Sequence, residues 1–572
     1  MANNHDKYKN HSREELIDEL ETLKKKKYGL VWDKKNSQEI LDAFVNWENV
    51  PENFTPKQFP VLKEVKNKEI ESDKNKPVNL LIEGDNYHSL AVLNFTHQNK
   101  IDVAYIDPPY NTGNKDFIFN DTFLDKKGPK FVEKEDPWRH SKWLSFMEKR
   151  LWLAKNILKN TGVIFISIDD NELAQLKMLC DEVFGEENFI ANLIWKSKSG
   201  GASDSKFFAI DHEYILVYAK NSKKFEIGID TEAIVSTVYN LKDEKGEYSL
   251  DRLDKQSLGY LQSLDFPIIG PDGKEYKVEH KNPKQKIARW RWSKDSVAER
   301  HDELVFKWPY VYTKNYRKDG VVPRSILIDQ RFGRTRTGKT ELFSFFSKEV
   351  FRNPKPSKLI KYLVKLIPNK NIQVLDFMAG SGTTGKAVLE LNNEDGGNRK
   401  FILCTNDEEI DNNGSKIKHK ICTDVCYPRV EKVINGYKNS KGEKVVGLGG
   451  NLKYFKTDFV GSNSTDKNKR DLVNKSAEMI CIKEDIFDLV ADGGLDYRIY
   501  QKGKKFLGVI FDIDAIANFK KEAEKHKGSF VVYCFSYTEA TPEKEFKGLK
   551  NKYVLKPIPA VILRIYLEIF KK

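Results

Sequence analysis

The sequence predicts an α/β protein built on a doubly wound, mostly parallel sheet, and three observations carry that expectation. Short apolar runs recur at Asn79–Ile82, Val103–Ile106, Val163–Ile168, Tyr214–Tyr218, Gln373–Phe377 and Phe401–Thr405, the pattern of parallel strands covered on both faces. Segments that suit helices, Trp143–Leu158, Asn171–Phe184, Ser357–Leu366 and Thr383–Leu391, separate several of these runs and set up a βαβ rhythm. Two of the runs end in turns rich in Asp, Pro and Gly, where a doubly wound sheet opens its ligand crevice.

Each segment has its own local reason. Ser12 followed by Glu15 is a capping-box pattern, and Ile17, Leu20 and Leu23 then follow helical spacing into Lys24–Lys27, so a helical extension is expected. Between Pro51 and Pro77 the chain is rich in Lys and Glu with scattered prolines and reads as a connector, which closes a first segment over 1–77. One half of the core is expected over 78–229. From 230 to 346 charged turns such as KDEKGE and GPDGKE alternate with short aromatic runs, which breaks the rhythm and points to an inserted domain. The second half of the core follows over 347–435. A turn-rich stretch then leads into a small C-terminal α/β domain over 436–572, with strands at Phe506–Ile510 and Phe530–Phe535 around a helix at Ala515–His526.

Composition narrows the partners. At 572 residues the chain exceeds one compact core, which stops growing near ~250–300 residues. A hydrophobic fraction of 39% supports globular packing, and no apolar run approaches the ~20 residues of a membrane span. The start, MANNHDKYKNHSREELIDEL, lacks the pattern of a secretory signal, and six cysteines form no disulfide framework, so a cytoplasmic location is expected. Cys422 and Cys426 have no second Cys or His pair at ligand spacing, and no metal is expected. A formal net charge of +13 attracts polyanions and makes nucleic acid the leading partner, although a solvated basic surface would carry the same charge.

The chemistry sits at two strand ends. Asp107, Pro108, Pro109 and Tyr110 directly follow a buried strand. An amine attacking a sulfonium methyl needs acceptors for its two N–H groups, and the Asp107 carboxylate and the Pro108 carbonyl supply them from one rigid turn. Tyr110 offers a flat ring for a flipped base. In VLDFMAGSGTTG a buried strand ends at Asp376, and Gly380 and Gly382 let the backbone approach a ligand before a helix starts near Thr383. The spacing differs from the G-x-G-x-x-G of dinucleotide sites and favours a smaller nucleoside. After the next strand come Asn406, Asp407 and Glu408, acids placed to accept from ribose hydroxyls.

Together the two ends resemble the amino-methyltransferases of DNA, whose catalytic motif is Asp, Asn or Ser, then Pro-Pro, then an aromatic, and whose cofactor motif is F-x-G-x-G, read here at Asp107–Tyr110 and Phe377–Gly382. The catalytic motif comes first, the circularly permuted order of the β group, and the form Asp-Pro-Pro-Tyr-Asn-Thr-Gly is most similar to the modification subunits of type III restriction systems. The resemblance runs from about Leu80 to Tyr437, also taking in LIEGDN, GVIFISID, HEYILVY and NPKPSKLI. It implies a Rossmann-like methyltransferase sheet and N6-adenine methylation from S-adenosylmethionine. Asp107, Pro108, Pro109 and Tyr110 would act on the base, and Asp85, Asp107, Lys355, Asp376, Phe377, Ala379, Gly380, Gly382, Thr383 and Asp407 would line the cofactor pocket. Which of Asn406, Asp407 and Glu408 takes the ribose stays open, with Asp407 preferred.

The resemblance further implies that the insertion is a target-recognition domain. Arg289, Arg291, Arg331, Arg334 and Arg336 are the candidates for contacting double-stranded DNA, with Trp290 and Trp292 either packing on sugars or filling a small core. A restriction subunit and a second copy of the chain are the other expected partners. N4-cytosine methylation uses the same geometry, more often with Ser at position 107, and a non-catalytic specificity subunit is the alternative from another class. Two weaker patterns point elsewhere. Gly333–Thr340, GRTRTGKT, satisfies G-x-x-x-x-G-K-T, but Gln330, Arg331 and Phe332 intervene after Ser325–Asp329, where a phosphate loop should follow its strand directly. Asp512 or Asp514 with Glu545 and Lys547 resembles a nuclease set, but Glu545 and Lys547 lie in a polar run rather than on a strand.

Overall fold

A computed structural model describes residue 12 and residues 58–73, 76–113, 118–119, 130–131, 134, 139–200, 206–233, 238–280, 285–317, 320–410, 419–461, 466–536, 541–558 and 562. Apart from Ser12, the expected N-terminal helix lies outside the described residues. The chain forms two compact units, one comprising the described residues up to Ile227 and from Arg324 onward, the other Gly228–Pro323.

The larger unit holds a sheet whose principal strands are β1 (Gln58–Glu64), β2 (Val78–Glu83), β3 (Ile101–Ile106), β4 (Leu158–Ile168), β5 (Phe189–Lys196), β6 (His212–Ala219), β7 (Ile326–Leu327), β8 (Gln373–Asp376), β9 (Lys400–Thr405) and β10 (Asn451–Gly461). They lie in the order β1-β10-β2-β9-β8-β3-β4-β6-β5-β7. The five neighbours from β10 to β3, and β4 beside them, run parallel. Successive residues of these strands feed opposite faces. Leu80, Ile82, Ala104 and Ile106 pack into one core with α1 (Asn86–Thr96), α2 (Arg139–Ile157) and α3 (Leu173–Phe184). Leu81, Val103 and Tyr105 pack into the other with α5 (Ser357–Lys365), α6 (Thr383–Asp395) and α7 (Tyr427–Asn435); α4 (Thr335–Phe346) also reaches that face through Phe345. Burial on both sides is why these strands read as continuous apolar runs.

Several expectations are corrected. The connector over 51–77 contains β1, whose Phe59, Val61 and Leu62 are buried and which pairs antiparallel with β10. Pro60 is tolerated because β1 ends the strand order, where an edge strand can spare a backbone N–H. The run at Tyr214–Tyr218 belongs to β6, which is antiparallel to both β4 and β5. An apolar strand buried on both faces looks the same in either direction. The strand β5, with Leu193 and Trp195 buried, went unread because polar residues interrupt it.

The insertion ends at Pro323 rather than 346. Ile326–Leu327 returns to the main sheet beside β5, and α4 buries Leu342 and Phe345 in the larger unit. Arg331, Arg334 and Arg336 therefore lie outside the insertion. The C-terminal boundary at 436 also moves, since β10 belongs to the main sheet and a separate five-stranded sheet starts only at Asp488. The inserted unit has its own four-stranded antiparallel sheet and a core that includes Leu253, Tyr276, Trp290 and Val311.

Candidate active site

The site begins where the strand order reverses. From β8 the chain continues to β9 on one side, and from β3 it continues to β4 on the other, so the carboxyl ends of β3 and β8 flank a switch point at one edge of the sheet. Four adjacent parallel strands end in acids at that edge: Asp85 after β2, Asp407 and Glu408 after β9, Asp376 on β8 and Asp107 after β3.

Asp107 accepts from the Lys355 ammonium at 2.8 and 2.9 Å on its two oxygens. The same ammonium stands 3.3 Å from Glu213 Oε2 and 4.9 Å from the centre of the Tyr110 ring. Tyr110 donates its hydroxyl to Glu213 Oε2 at 3.0 Å. The Lys355 side chain is only 9% exposed, so the two carboxylates are needed to hold its charge. Burial pushes Asp107 above the usual carboxylate range although Lys355 opposes it, and Lys355 is raised by its two acidic neighbours against the cost of burial. The double-proline turn is fixed from α2, because Trp143 Nε1 donates to the Pro109 carbonyl at 2.7 Å, and Pro108 is buried. Beyond it Asn111, with φ of 56°, turns the chain and donates to Glu172 at 2.5 Å. His140 Nδ1 lies 2.7 Å from the same carboxylate.

The glycine turn is held as tightly. Gly380 and Gly382 have φ of 49° and 76°, a region that L side chains rarely enter. Asp376 accepts from the Met378 amide at 3.0 Å and from the Thr384 hydroxyl, tying strand to helix, and burial raises it to about 7. The Ala379 amide donates to the Cys404 carbonyl at 3.1 Å. Counting back from Gly380, the aromatic position of F-x-G-x-G falls on Met378, and Phe377 is wholly buried in the core beneath. The turn is reinforced by Arg429, also wholly buried, which donates to the Ser381 carbonyl at 3.2 Å, the Ser381 hydroxyl at 3.1 Å and the Thr383 hydroxyl at 2.8 Å.

The remaining candidates have local partners. Asp85 caps α1 through the Tyr87 amide at 2.8 Å and pairs with Arg150 at 3.2 Å. Burial opposes its charge, but Arg150 and His88 keep it below the usual carboxylate range. Asp407 accepts from both the amide and the hydroxyl of Thr423 at 2.9 Å, whereas loss of solvent around the Glu408 carboxyl, with the charge of Asp85, raises it against a hydrogen bond from Asn406.

In the inserted unit Arg291 pairs with Asp251 at 3.1 Å and Arg289 is half-buried beside it in sequence. Trp290 is a core residue donating to the Phe266 carbonyl at 2.7 Å. In the larger unit Arg334 donates to the carbonyls of Ile328, Asp329 and Gly333, Arg331 lies 4.5 Å from the Phe332 ring, and Arg336 is exposed. Gly338, Lys339 and Thr340 lie inside α4 rather than ahead of it, so GRTRTGKT does not form a phosphate loop. Asp512 caps its own turn through Asp514, and among the described residues no group of three or more His, Cys, Asp or Glu is placed to hold a metal ion. Among the described residues no helix is long and apolar enough to cross a membrane.

Two residues escaped the sequence reading. Glu213 sits in HEYILVY, where a carboxylate inside an apolar strand was the available signal. Arg429 sits beside Val430 and near Val433 and Ile434 on the apolar side of α7, where a charge is equally out of place.

The family described as DNA methylase matches residues 101–415. The chain is 34% identical over 387 residues to the Mod subunit of the type III restriction-modification enzyme StyLTI of Salmonella typhimurium, covering 62% of this chain and 57% of that protein. It is 33% identical over 461 residues to the EcoPI Mod subunit of Escherichia phage P1, covering 72% and 69% of the two chains. With the type II methyltransferase M.KpnI of Klebsiella pneumoniae it shares 34% identity over 382 residues, 63% of this chain and 89% of that one.

Proposed function

The chain belongs to the DNA methylase family, and from that premise we propose that it methylates the N6 amine of adenine in double-stranded DNA, as the modification subunit of a restriction-modification system. The observation that carries the reading is the pairing at the switch point: Asp107, held by the Lys355 ammonium, beside the Tyr110 ring just after β3, next to the glycine turn that follows β8.

The residues present fit S-adenosylmethionine. Asp85, Asp376 and Asp407, with Glu408 next to it, offer carboxyl groups for a cationic, hydroxyl-bearing nucleoside, and Gly380 and Gly382 give the turn between them positive φ angles that side chains rarely adopt. When bound, that group supplies an electrophilic methyl. The chain then has to hold an amine in line with it. Asp107, paired with Lys355, accepts one amine N–H, the Pro108 carbonyl accepts the other, and the Tyr110 ring supports the base. Positioned acceptors supply acceleration without covalent chemistry by the protein. Arg289 and Arg291 of the inserted unit, with Arg331, Arg334 and Arg336 of the larger unit, are the proposed DNA contacts. The likeness to Mod subunits supports a restriction subunit as a partner, and a second copy of the chain is proposed beside it.

The test is nucleoside mass spectrometry of duplex DNA incubated with the protein and S-adenosylmethionine. N6-methyladenine is expected. N4-methylcytosine alone overturns the choice of base, and no incorporated methyl overturns the activity.

A further inference from the structure

Glu213 has no part in the transfer step as described, yet it touches two residues that do. It stands at the start of β6, and because β6 is antiparallel to β4, with Tyr214 opposite Ile168, its first residues return to the edge where β3 ends. The side chain is 17% exposed. One of its oxygens, Oε2, both accepts the Tyr110 hydroxyl at 3.0 Å and faces the Lys355 ammonium at 3.3 Å.

A buried ammonium beside a single carboxylate would pair with it fully, and Lys355 already spans both oxygens of Asp107. An amine arriving at Asp107 must share those oxygens. A second carboxylate on the far side of the ammonium gives Lys355 somewhere else to rest and leaves the cluster of Asp107, Glu213 and Lys355 with a formal charge of −1, suited to a site that receives positive charge. The phenol contact fixes the tilt of the ring on which a base would lie.

We infer that Glu213 is a positioning residue: it holds Lys355 and Tyr110 together, so that Asp107 can accept the substrate amine while Lys355 stays paired and the ring keeps one orientation. The inference rests on the transfer reaction proposed above. The groups acting on Asp107 from the surrounding elements are Lys355, Glu213 and Tyr110, with Tyr105 of β3 and Asp376 of β8 also within its field. Lys355 is the cation among them. Of the others, the charge of Glu213 makes Asp107 harder to ionise, while the hydroxyl of Tyr110 makes it easier.

Glu213→Gln and Tyr110→Phe in the full chain separate positioning from simple packing. Wild type is assayed first for N6-methyladenine, since its failure there removes the reading on which the inference rests. Given an active wild type, Glu213→Gln should lower kcat on the order of tenfold, with KM for DNA and for S-adenosylmethionine within about threefold. The acid limb of its kcat profile should move to lower pH, because a negative neighbour of Asp107 has gone. Tyr110→Phe should move that limb to higher pH. A Glu213→Gln enzyme with wild-type kcat and an unmoved acid limb overturns the inference. If that variant does not fold, a Tyr110→Phe enzyme with both quantities unchanged overturns it equally.

Discussion

Gly338 carries the most discriminating prediction. It lies inside α4, where replacing Gly by Ala ordinarily stabilises a helix by about 1 kcal/mol. Here an added Cβ would come 2.0 Å from the Pro354 carbonyl oxygen and 2.9 Å from the Lys355 carbonyl carbon, against the 3.4 Å at which ordinary contact begins. The Pro354–Lys355 backbone must retreat by about 1.4 Å. If Lys355 carries that shift to its ammonium, the 2.8 Å contact with Asp107 opens to about 4.2 Å, and at an effective dielectric near 20 the lost attraction is about 2 kcal/mol. Overpacking costs a further ~1–3 kcal/mol of stability, which outweighs the gain in helix propensity. Gly338→Ala should therefore melt at a lower temperature than wild type and transfer methyl groups about 10–100-fold more slowly. Differential scanning calorimetry and a tritium-transfer assay on the same preparation read both quantities. A variant that melts higher and transfers at the wild-type rate refutes the reasoning.

Other perturbations separate the parts of the site. Asp107→Ala should leave DNA and cofactor affinity within about tenfold while turnover falls by several orders of magnitude, and near-wild-type turnover would remove Asp107 from the reaction. Asp376, held at about 7 by burial, binds a proton in the folded chain that an unfolded Asp, near ~3.9, has lost. Stability should consequently fall as pH rises from about 4 to about 7, and Asp376→Asn should flatten that slope in melting curves; an identical slope in the variant is the contrary result. Arg429→Met deprives Ser381, Thr383 and Glu341 of a buried cation and should cost about 3–5 kcal/mol in urea unfolding, a shift below ~1 kcal/mol being the refuting outcome.

The sequence made the centre of this molecule legible and its borders less so. Strands β2, β3, β8 and β9 were readable because burial on both faces leaves an uninterrupted apolar run, and each leads into an acid at or just beyond its end that had to be explained. Direction was not readable for β6, since hydrogen-bond polarity leaves no mark on composition. The end of the insertion was obscured because Gln330–Phe346 mixes aromatic and basic residues just as the inserted unit does, while Phe332, Leu342 and Phe345 pack into the larger unit. At the site, residues named by their place in a turn were found by sequence. Glu213 and Arg429, which come from distant segments, acquire a role only through contacts that no local spacing encodes.

The inserted unit enters and leaves through a single pair of residues: the Asp230 amide donates to the Val321 carbonyl at 2.7 Å, and the Val321 amide donates back to the Asp230 carbonyl at 3.0 Å. Gly320 makes that closure possible, because a Cβ there would stand 2.8 Å from the Asp230 oxygen. A segment whose two ends are clasped to each other behaves as a cassette. Its length and content can change without altering the spacing of the two chain ends it presents, so it is exchangeable as one contiguous stretch of gene.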